Sequence, residues 1–256
     1  MNKNAKFIVI ALISILVIVI TSASRNKDLT DINNDQNNLQ PKELHANLSD
    51  AIEQENVRKR NNEVIKVKQI LQESISDVAI GQVGSPVTII EYASLSCSHC
   101  APFSNRVFGR LQEEYIDTGK VRFIFRHFPL NYPAFAASAA TLCSYKELQS
   151  DNSQEDEKKY YNLIKALFKT QDSWAFSKQF PSQLKQILRL NGLSSSNFDK
   201  CLKNKDLENA ILQQRMDASK YLKVGSTPTF FINGKPMIGS PSYKKIKNAI
   251  DKALNN

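Results

Sequence analysis

The chain has 256 residues, of which 41% are hydrophobic, so it is long enough to bury a proper core in one large or two small domains. Its formal charge of +9 is spread among many acidic and amide residues, without a basic block interleaved with aromatic residues. This distribution argues against a nucleic-acid-binding protein and favours solubility or weak attraction to acidic surfaces and unfolded proteins.

The amino terminus has the pattern of a secretory signal. Two lysines precede an apolar run from Phe7 to Ile20, and small residues follow it. The run is shorter than the roughly twenty residues that span a bilayer comfortably, so we predict a signal peptide over residues 1–23 that is cleaved after Ala23. An uncleaved membrane anchor is the alternative. Either choice predicts that the rest of the chain lies outside the cytoplasm, in the periplasm.

Residues 24–80 are predicted to be a polar linker followed by a helical extension. Residues 25–40 are rich in Asn, Asp and Gln and too polar to form a core. From Pro41 to about Val78, apolar residues recur at spacings of three, four and seven, which predicts one or two amphipathic helices. This part is either docked on the body of the protein, or a stiff spacer, or a stalk that forms a homo-oligomer through residues 42–78.

A strand, a helix and a second strand are predicted in residues 81–130. The β-branched run from Val87 to Tyr92 is typical of a strand buried on both faces. Apolar residues then recur every four positions until a helix end near Gly119, and residues 121–126 read as the second strand. Such a unit predicts a parallel pair with a right-handed crossover.

Residues 131–223 are predicted to form a helical insertion, because they carry helical periodicity and no convincing strand pattern. Trp174 and Phe176 are expected to fill the core between these helices. They are given no catalytic role.

The sheet is predicted to resume within residues 224–256. Two short strands, Thr229 to Ile232 and Lys235 to Ile238, flank an Asn-Gly pair, which is the strongest short-range signal for a hairpin. Residues 243–254 then form a closing amphipathic helix. The predicted fold class is therefore α/β, with a helical insertion.

Two cysteines separated by two residues, Cys97 and Cys100, stand between the first strand and its helix. Such a pair carries electrons as two thiols or one disulfide. The thiolate is the attacking species, and the start of a helix together with His99 favours the thiolate at Cys97. We therefore predict Cys97 as the nucleophile, Cys100 as the resolving thiol, and a disulfide that oxidises its substrates.

Two other interpretations compete with a redox-active pair: a zinc site and a structural disulfide. A structural zinc site needs four ligands, and the sequence has no second Cys-x-x-Cys and no paired histidines, so neither a metal nor a cofactor is predicted. A purely structural disulfide within the motif would close too short a loop to stabilise much. The remaining cysteines, Cys143 and Cys201, suit a structural disulfide in an exported protein, with two free buried thiols as the alternative.

With this motif the chain resembles the DsbA family of exported thiol-disulfide oxidoreductases. The resemblance spans roughly residues 83–253 and rests on Cys97-Ser98-His99-Cys100, on the helical insertion and on the segment 224–229. It implies a thioredoxin-like fold and the formation of disulfide bonds in reduced or unfolded exported proteins. It also implies a membrane redox partner that reoxidises or reduces the site.

The resemblance further implies roles for residues outside the motif. It implies a cis peptide bond at Thr227–Pro228 whose backbone pairs with the substrate, although Pro228 without the motif would be read as a strand-initiating proline. Glu91 resembles the buried acid that exchanges protons with the resolving cysteine, and a structural ion pair with Arg122 is the alternative. Some relatives also have a second, non-catalytic disulfide in the insertion.

Two departures from the family pattern leave the direction of exchange open. Ser98 stands where the best-known members have proline, and Thr227 before the proline is more typical of isomerases and reductases. A disulfide isomerase or reductase that is kept reduced is therefore the alternative to a dithiol oxidase. A non-enzymatic alternative is an envelope binding or chaperone module whose cysteines are incidental.

Overall fold

The computed structural model describes residues 41–74, 76–147, 150–192 and 195–255. One compact unit ends at Arg60 and a second begins at Asn61. The predicted signal peptide and polar linker lie outside the described residues. Within the described ranges, no helix combines the length and the apolar character that crossing a membrane requires.

The described residues form five strands and a larger number of helices. The strands are β1 (Ala79–Ile80), β2 (Val87–Ala93), β3 (Val121–His127), β4 (Thr229–Ile232) and β5 (Lys235–Ile238). The helices are α1 (Pro41–Ile70), α2 (Cys100–Arg106), α3 (Phe108–Leu111), a π-helical turn (Gln112–Ile116), α4 (Tyr132–Glu147), α5 (Ser153–Lys169), α6 (Gln171–Trp174), α7 (Phe180–Leu190), α8 (Ser195–Lys203), α9 (Lys205–Tyr221) and α10 (Tyr243–Leu254).

The strands form one sheet in the order β1-β3-β2-β4-β5. β2 and β3 are parallel, as predicted for strands joined by a helical crossover, and Ala93 lies opposite His127 at their carboxyl ends. β4 runs antiparallel to β2, with Thr229 opposite Tyr92. This register brings the beginning of β4 next to the residues that follow β2.

β2 and β3 bury apolar side chains on both faces because both faces of the sheet are covered. Ile89 belongs to the same apolar cluster as Phe103 of α2, on one side of the sheet. Ile90, the next residue, belongs to a cluster on the other side with Ala218 of α9 and Phe231. The sheet is therefore the middle layer of this unit.

The helix after the cysteine motif is built from consecutive pieces. α2 ends at Arg106, the chain deviates at Val107 (φ −111°), and α3 and the π-helical turn follow. Gly119 then adopts φ +74°, in the left-handed region that favours glycine, and the chain turns into β3. The helix end predicted near Gly119 therefore corresponds to this turn.

The prediction of helix up to Val78 is wrong, because α1 ends at Ile70. A turn follows, and β1 pairs antiparallel with β3, with Ala79 opposite Ile124. The sheet therefore begins two residues before the predicted boundary at residue 81.

A buried arginine explains why the chain leaves the helix there. Arg126 of β3 donates hydrogen bonds to the main-chain oxygens of Ile70 and Gln72 and forms a 2.6 Å ion pair with Asp77. Both side chains of the ion pair are almost wholly buried, at 4% and 1% exposure. The last carbonyl group of α1, that of Ile70, is thus satisfied by a guanidinium group rather than by a further helical turn.

The described residues of the insertion form helices α4 to α9 joined by turns, and none of these residues forms a strand. Trp174 is completely buried, and its indole N–H donates to the Leu167 oxygen at 3.1 Å. The prediction that Phe176 fills the core is wrong, because α6 ends at Trp174 and leaves Phe176 75% exposed. A disulfide between Cys143 and Cys201 joins α4 to α8.

The carboxyl-terminal hairpin and helix begin and end where the sequence predicts. Asn233 and Gly234 both have positive φ, at 44° and 78°, as a tight hairpin turn requires. The hydroxyl of Ser242 accepts a hydrogen bond from the Lys245 N–H at 3.3 Å and so caps α10.

Candidate active site

The motif cysteines lie in the turn that connects β2 to α2. The Cys97 N–H donates to the Ser94 oxygen at 2.9 Å, and the Cys100 N–H donates to the Cys97 oxygen at 3.0 Å. Both cysteines are free thiols. Cys97 is 7% exposed, whereas Cys100 is completely buried, so only the Cys97 sulfur can meet a partner at the surface.

The surroundings of Cys97 favour its thiolate and lower its pKa to about 5. The largest cause is a hydrogen bond from the Cys100 thiol, and the Thr227 side chain and the backbone N–H groups of His99 and Cys100 add to it against the cost of burial. As a thiol, Cys97 donates to the Thr227 oxygen at 3.3 Å. The Thr227 hydroxyl, buried and unpaired among the described residues, is free to donate once the thiolate forms.

His99 contributes differently from the prediction. Its side chain is exposed, and its contribution to the lowered pKa of Cys97 comes from its backbone N–H. His99 also occupies the position just before α2, without a side-chain cap. His99 therefore stabilises the Cys97 thiolate through its backbone N–H and not through its side chain.

Cys100 has the opposite environment. Burial raises the pKa of its thiol strongly, and the hydrogen bond with Cys97 and the negative charge of Glu91 raise it further. The two sulfurs of one motif are thus unequal in exposure and in the protonation state that they prefer.

Glu91 lies buried beneath the cysteines, at 3% exposure. It faces a pocket lined mainly by aromatic side chains: Phe103, Phe108, Phe123, Phe125, Tyr161 and Phe168. Burial, followed by the charge of Cys97, raises the pKa of Glu91 well above its usual value. The ion pair weighed between Glu91 and Arg122 is absent from the described part of the chain, because Arg122 pairs with Glu73 at 2.8 Å and with Glu157 at 3.7 Å.

The peptide bond between Thr227 and Pro228 is cis. Because β4 begins at Thr229 and runs antiparallel to β2, this bond lies beside the end of β2 and places the Thr227 oxygen against the Cys97 sulfur. The structure therefore brings the two segments that the sequence singled out into direct contact.

One residue of the site was missed by the sequence analysis. Gln171, at the start of α6, is 4% exposed, and its side-chain amide donates to the Leu95 oxygen at 2.7 Å and to the Cys97 oxygen at 3.1 Å. It lies in the insertion, far from the motif along the chain, where a glutamine reads as an ordinary solvated residue. Burial distinguishes Gln171 from other glutamines, but the burial of a single polar residue is not visible in the sequence.

The remaining chemistry-bearing groups are separate from this site. Across the described ranges, no three His, Cys, Asp or Glu side chains lie together in a way that could hold a metal ion. His127, at the end of β3, is buried, and burial lowers its pKa to about 3, so it is neutral and bonds the Tyr160 hydroxyl at 2.9 Å.

Comparisons with known proteins identify relatives of the chain. The sequence profile of a family described as thioredoxin matches residues 73–252. A putative protein-disulfide oxidoreductase of Rickettsia conorii is 29% identical over 209 residues, which are 81% of this chain and 72% of the relative. A probable disulfide bond formation protein D of Bacillus cereus is 27% identical over 181 residues, which are 69% of this chain and 78% of that protein.

The chain resembles a solved structure in both sequence and fold. The crystal structure of α-DsbA1 from Wolbachia pipientis is 33% identical, with a TM-score of 0.65, and the match covers 73% of this chain and 95% of that chain. These findings confirm the predicted thioredoxin-like fold, and they show that the chain belongs to the DsbA family of thiol-disulfide oxidoreductases, enzymes that form disulfide bonds.

Proposed function

We propose that Cys97 and Cys100 are the redox-active pair and that the protein donates their disulfide to reduced client proteins. The observation that carries the proposal is the contrast between the two sulfurs. Cys97 is reachable and its pKa is lowered to about 5, whereas Cys100 is buried with a raised pKa. A stabilised Cys97 thiolate favours the reduced pair, so the oxidised pair readily passes its disulfide on.

The exchange balances in two steps. A client thiolate attacks the Cys97 sulfur of the oxidised pair, a mixed disulfide forms, and Cys100 leaves and takes up a proton. A second client thiolate attacks the client sulfur of the mixed disulfide, and Cys97 leaves as a thiolate. The client has then lost two electrons and the enzyme has gained them.

In reoxidation the enzyme supplies the attacking thiolate and the redox partner supplies the disulfide. The Cys97 thiolate attacks a disulfide of the redox partner, and Cys100 loses its proton and resolves the resulting mixed disulfide. Cys97 is the nucleophile in this half of the cycle because it is the ionised and reachable sulfur.

Glu91 is proposed to carry the proton that Cys100 gains and loses. Its raised pKa keeps the carboxyl group protonated when Cys100 leaves as a thiolate, and the electrostatic coupling between the two groups favours transfer of that proton to sulfur. The ion pairs found among the described residues do not include Glu91, which supports a proton-transfer role over a structural one.

Thr227 and the cis Pro228 are proposed to bind the client backbone next to the reacting sulfur. The Thr227 main-chain oxygen lies 3.3 Å from the Cys97 sulfur, so an extended client segment that pairs there would bring its own cysteine within reach. The exposed His99 side chain would lie at the edge of this contact.

We also propose that the enzyme acts after export and is reoxidised by a membrane partner. The support is the signal pattern of residues 1–23 and the disulfide between Cys143 and Cys201 outside the motif, which suits an oxidising compartment. Self-association through residues 42–78 stays a prediction.

Substitution of the cysteines tests the proposed function. In Cys97→Ser, catalysed disulfide formation in a reduced client should fall to the uncatalysed rate, because the reacting sulfur is gone. In Cys100→Ser, the Cys97 thiolate should accumulate as a mixed disulfide with a disulfide-bearing partner, which non-reducing electrophoresis detects. Client oxidation that survives in Cys97→Ser would reject the proposal, and the double substitution of Cys143 and Cys201 to Ser provides the control that should keep activity.

The direction of exchange is tested by trapping thiols in cells. We expect the pair to be mostly oxidised at steady state, because a donor of disulfides must be reoxidised faster than clients reduce it. A mostly reduced pair would instead identify the enzyme as an isomerase or reductase.

A further inference from the structure

We propose that Gln171 is a positioning residue that holds the segment Leu95–Cys97 so that the Cys97 sulfur meets its hydrogen-bond donors. The proposal rests on the proposed role of Cys97 as the reactive thiol. It assigns to the helical insertion a direct part in setting the redox chemistry of the sheet domain.

The amide of Gln171 is fully engaged by two neighbouring carbonyl groups. A side-chain amide nitrogen carries two hydrogens, and here one meets the Leu95 oxygen at 2.7 Å and the other meets the Cys97 oxygen at 3.1 Å. Leu95 is completely buried and Gln171 is 4% exposed, so water does not readily replace these bonds. Gln171 therefore fixes the backbone on both sides of Ser96.

The Cys97 carbonyl is also the first acceptor of α2. It accepts from the Cys100 N–H at 3.0 Å and from the Ala101 N–H at 3.4 Å, in addition to Gln171. The orientation of this one peptide group therefore links the Gln171 amide to the start of the helix whose N–H groups face the sulfur.

The sulfur is sensitive to that orientation. The donors that stabilise its thiolate form are the Cys100 thiol, the Thr227 side chain and the backbone N–H groups of His99 and Cys100. Hydrogen bonds weaken steeply when their angles depart from linearity, so a small rotation of the 95–97 segment weakens several of them together. A thiolate loses more than a thiol in such a rotation, because charge-assisted bonds are the stronger ones.

The anchor that holds Gln171 belongs to a different part of the fold. The Ala175 N–H donates to the main-chain oxygen of Gln171 at 2.9 Å. The indole N–H of the fully buried Trp174 donates to the main-chain oxygen of Leu167 at 3.1 Å. The amide is thus presented from a short, well-packed helix of the insertion to a turn that ends a strand of the sheet.

A purely structural role predicts a different outcome. If Gln171 only satisfies two buried carbonyl groups, its loss lowers the stability of the protein and leaves the chemistry of Cys97 unchanged. If Gln171 positions the sulfur, its loss shifts the equilibrium between thiol and thiolate and, with it, the equilibrium with glutathione.

The test uses Gln171→Met, which keeps the length of the side chain and removes both donors. Gln183→Met is the matched control, because Gln183 is a half-buried glutamine of α7 whose side-chain oxygen has no partner among the described residues. Leu188→Ala, in the same helix, is the control for lost stability, because it opens a cavity in the insertion away from the turn. All variants are full chains and are compared with the unchanged protein.

Two quantities are measured on each protein: the pH midpoint of thiolate absorbance in the reduced form, and the equilibrium constant with reduced and oxidised glutathione at pH 7. In Gln171→Met the midpoint should rise by at least half a pH unit, and the disulfide should become about threefold or more harder to reduce, because each pKa unit is a factor of ten in the equilibrium. Gln183→Met and Leu188→Ala should keep both values.

Unchanged values in a folded Gln171→Met would overturn the proposal, as would an equal shift in Leu188→Ala. If Gln171→Met does not fold, the same criteria apply to Gln171→Asn, whose shorter side chain cannot reach both carbonyl groups. A failure of the proposed function is recognised separately, because the unchanged protein would then itself show no thiolate of low pKa.

Discussion

Each face of the sheet buries an acidic side chain, and the two acidic side chains have opposite surroundings. On the face that α9 covers, Asp77 is paired with Arg126 at 2.6 Å, and the Arg126 guanidinium also bonds the Tyr92 hydroxyl at 2.8 Å. On the face that α2 covers, Glu91 lies among aromatic rings, and burial raises its pKa. A buried acid with a matched cation stays charged and holds the fold, whereas one without it holds a proton that can be passed on.

The largest effect is expected from removing the cation of the ion pair between Arg126 and Asp77. Arg126→Met should lower the free energy of unfolding by about 3–5 kcal/mol, because it leaves Asp77 buried without its cation and removes the donors to Ile70 and Gln72. Urea denaturation of the oxidised protein measures the change. A loss below about 1 kcal/mol would mean that this ion pair does not hold the 70–77 segment to the sheet.

A smaller effect, on a reaction rate rather than on stability, is expected from substitution of Glu91. Glu91→Gln should slow the formation of the mixed disulfide between a client and the oxidised enzyme by about a hundredfold, because the leaving Cys100 sulfur loses its proton donor. Stopped-flow measurement of single-turnover exchange gives this rate. Glu157→Gln is the control, since burial also raises the pKa of Glu157, which lies next to Arg122 rather than below Cys100. Equal slowing in both variants would contradict a specific role for Glu91.

The smallest effect is a slope of stability with pH. The folded pKa of Glu91 is raised, so above the unfolded value of about 4.3 the unfolded chain loses a proton that the folded chain keeps. Glu91 therefore lowers the free energy of unfolding as pH rises from about 4.3 towards its folded pKa, by at most about 1.4 kcal/mol per unit.

This slope is measured best on the oxidised protein, in which the motif cysteines do not titrate. The difference in unfolding free energy between Glu91→Gln and the unchanged chain should increase with pH over this window. A difference that stays constant with pH would show that the carboxyl group ionises as easily in the folded state as in the unfolded one.

Local signals account for the parts of the fold that were predicted well. The Asn233-Gly234 turn and the alternating segments beside it specify a hairpin without help from the rest of the chain. The cysteine motif likewise identifies its own chemistry, since two thiols at this spacing have few other uses. Both depend on residues that are neighbours in the sequence.

The parts that could not be predicted depend on contacts between distant segments. α1 ends at Ile70, whose carbonyl group bonds Arg126 far along the chain, and no pattern within residues 71–78 indicates this contact. Arg122 was weighed as a partner for Glu91 because it lies on the neighbouring strand, but the pleat directs it to Glu73. Gln171 reaches the active site only through the packing of the insertion.

The short first strand has a consequence for a protein that exchanges disulfides with other proteins. Among the described residues, the outer strand β1 is only two residues long, and the other outer strand, β5, is four residues long and carries Lys235 and Pro236. Unfolded clients are rich in segments that add to exposed strand margins and aggregate there. Because both outer strands are short, they offer few backbone groups to which such a segment can add.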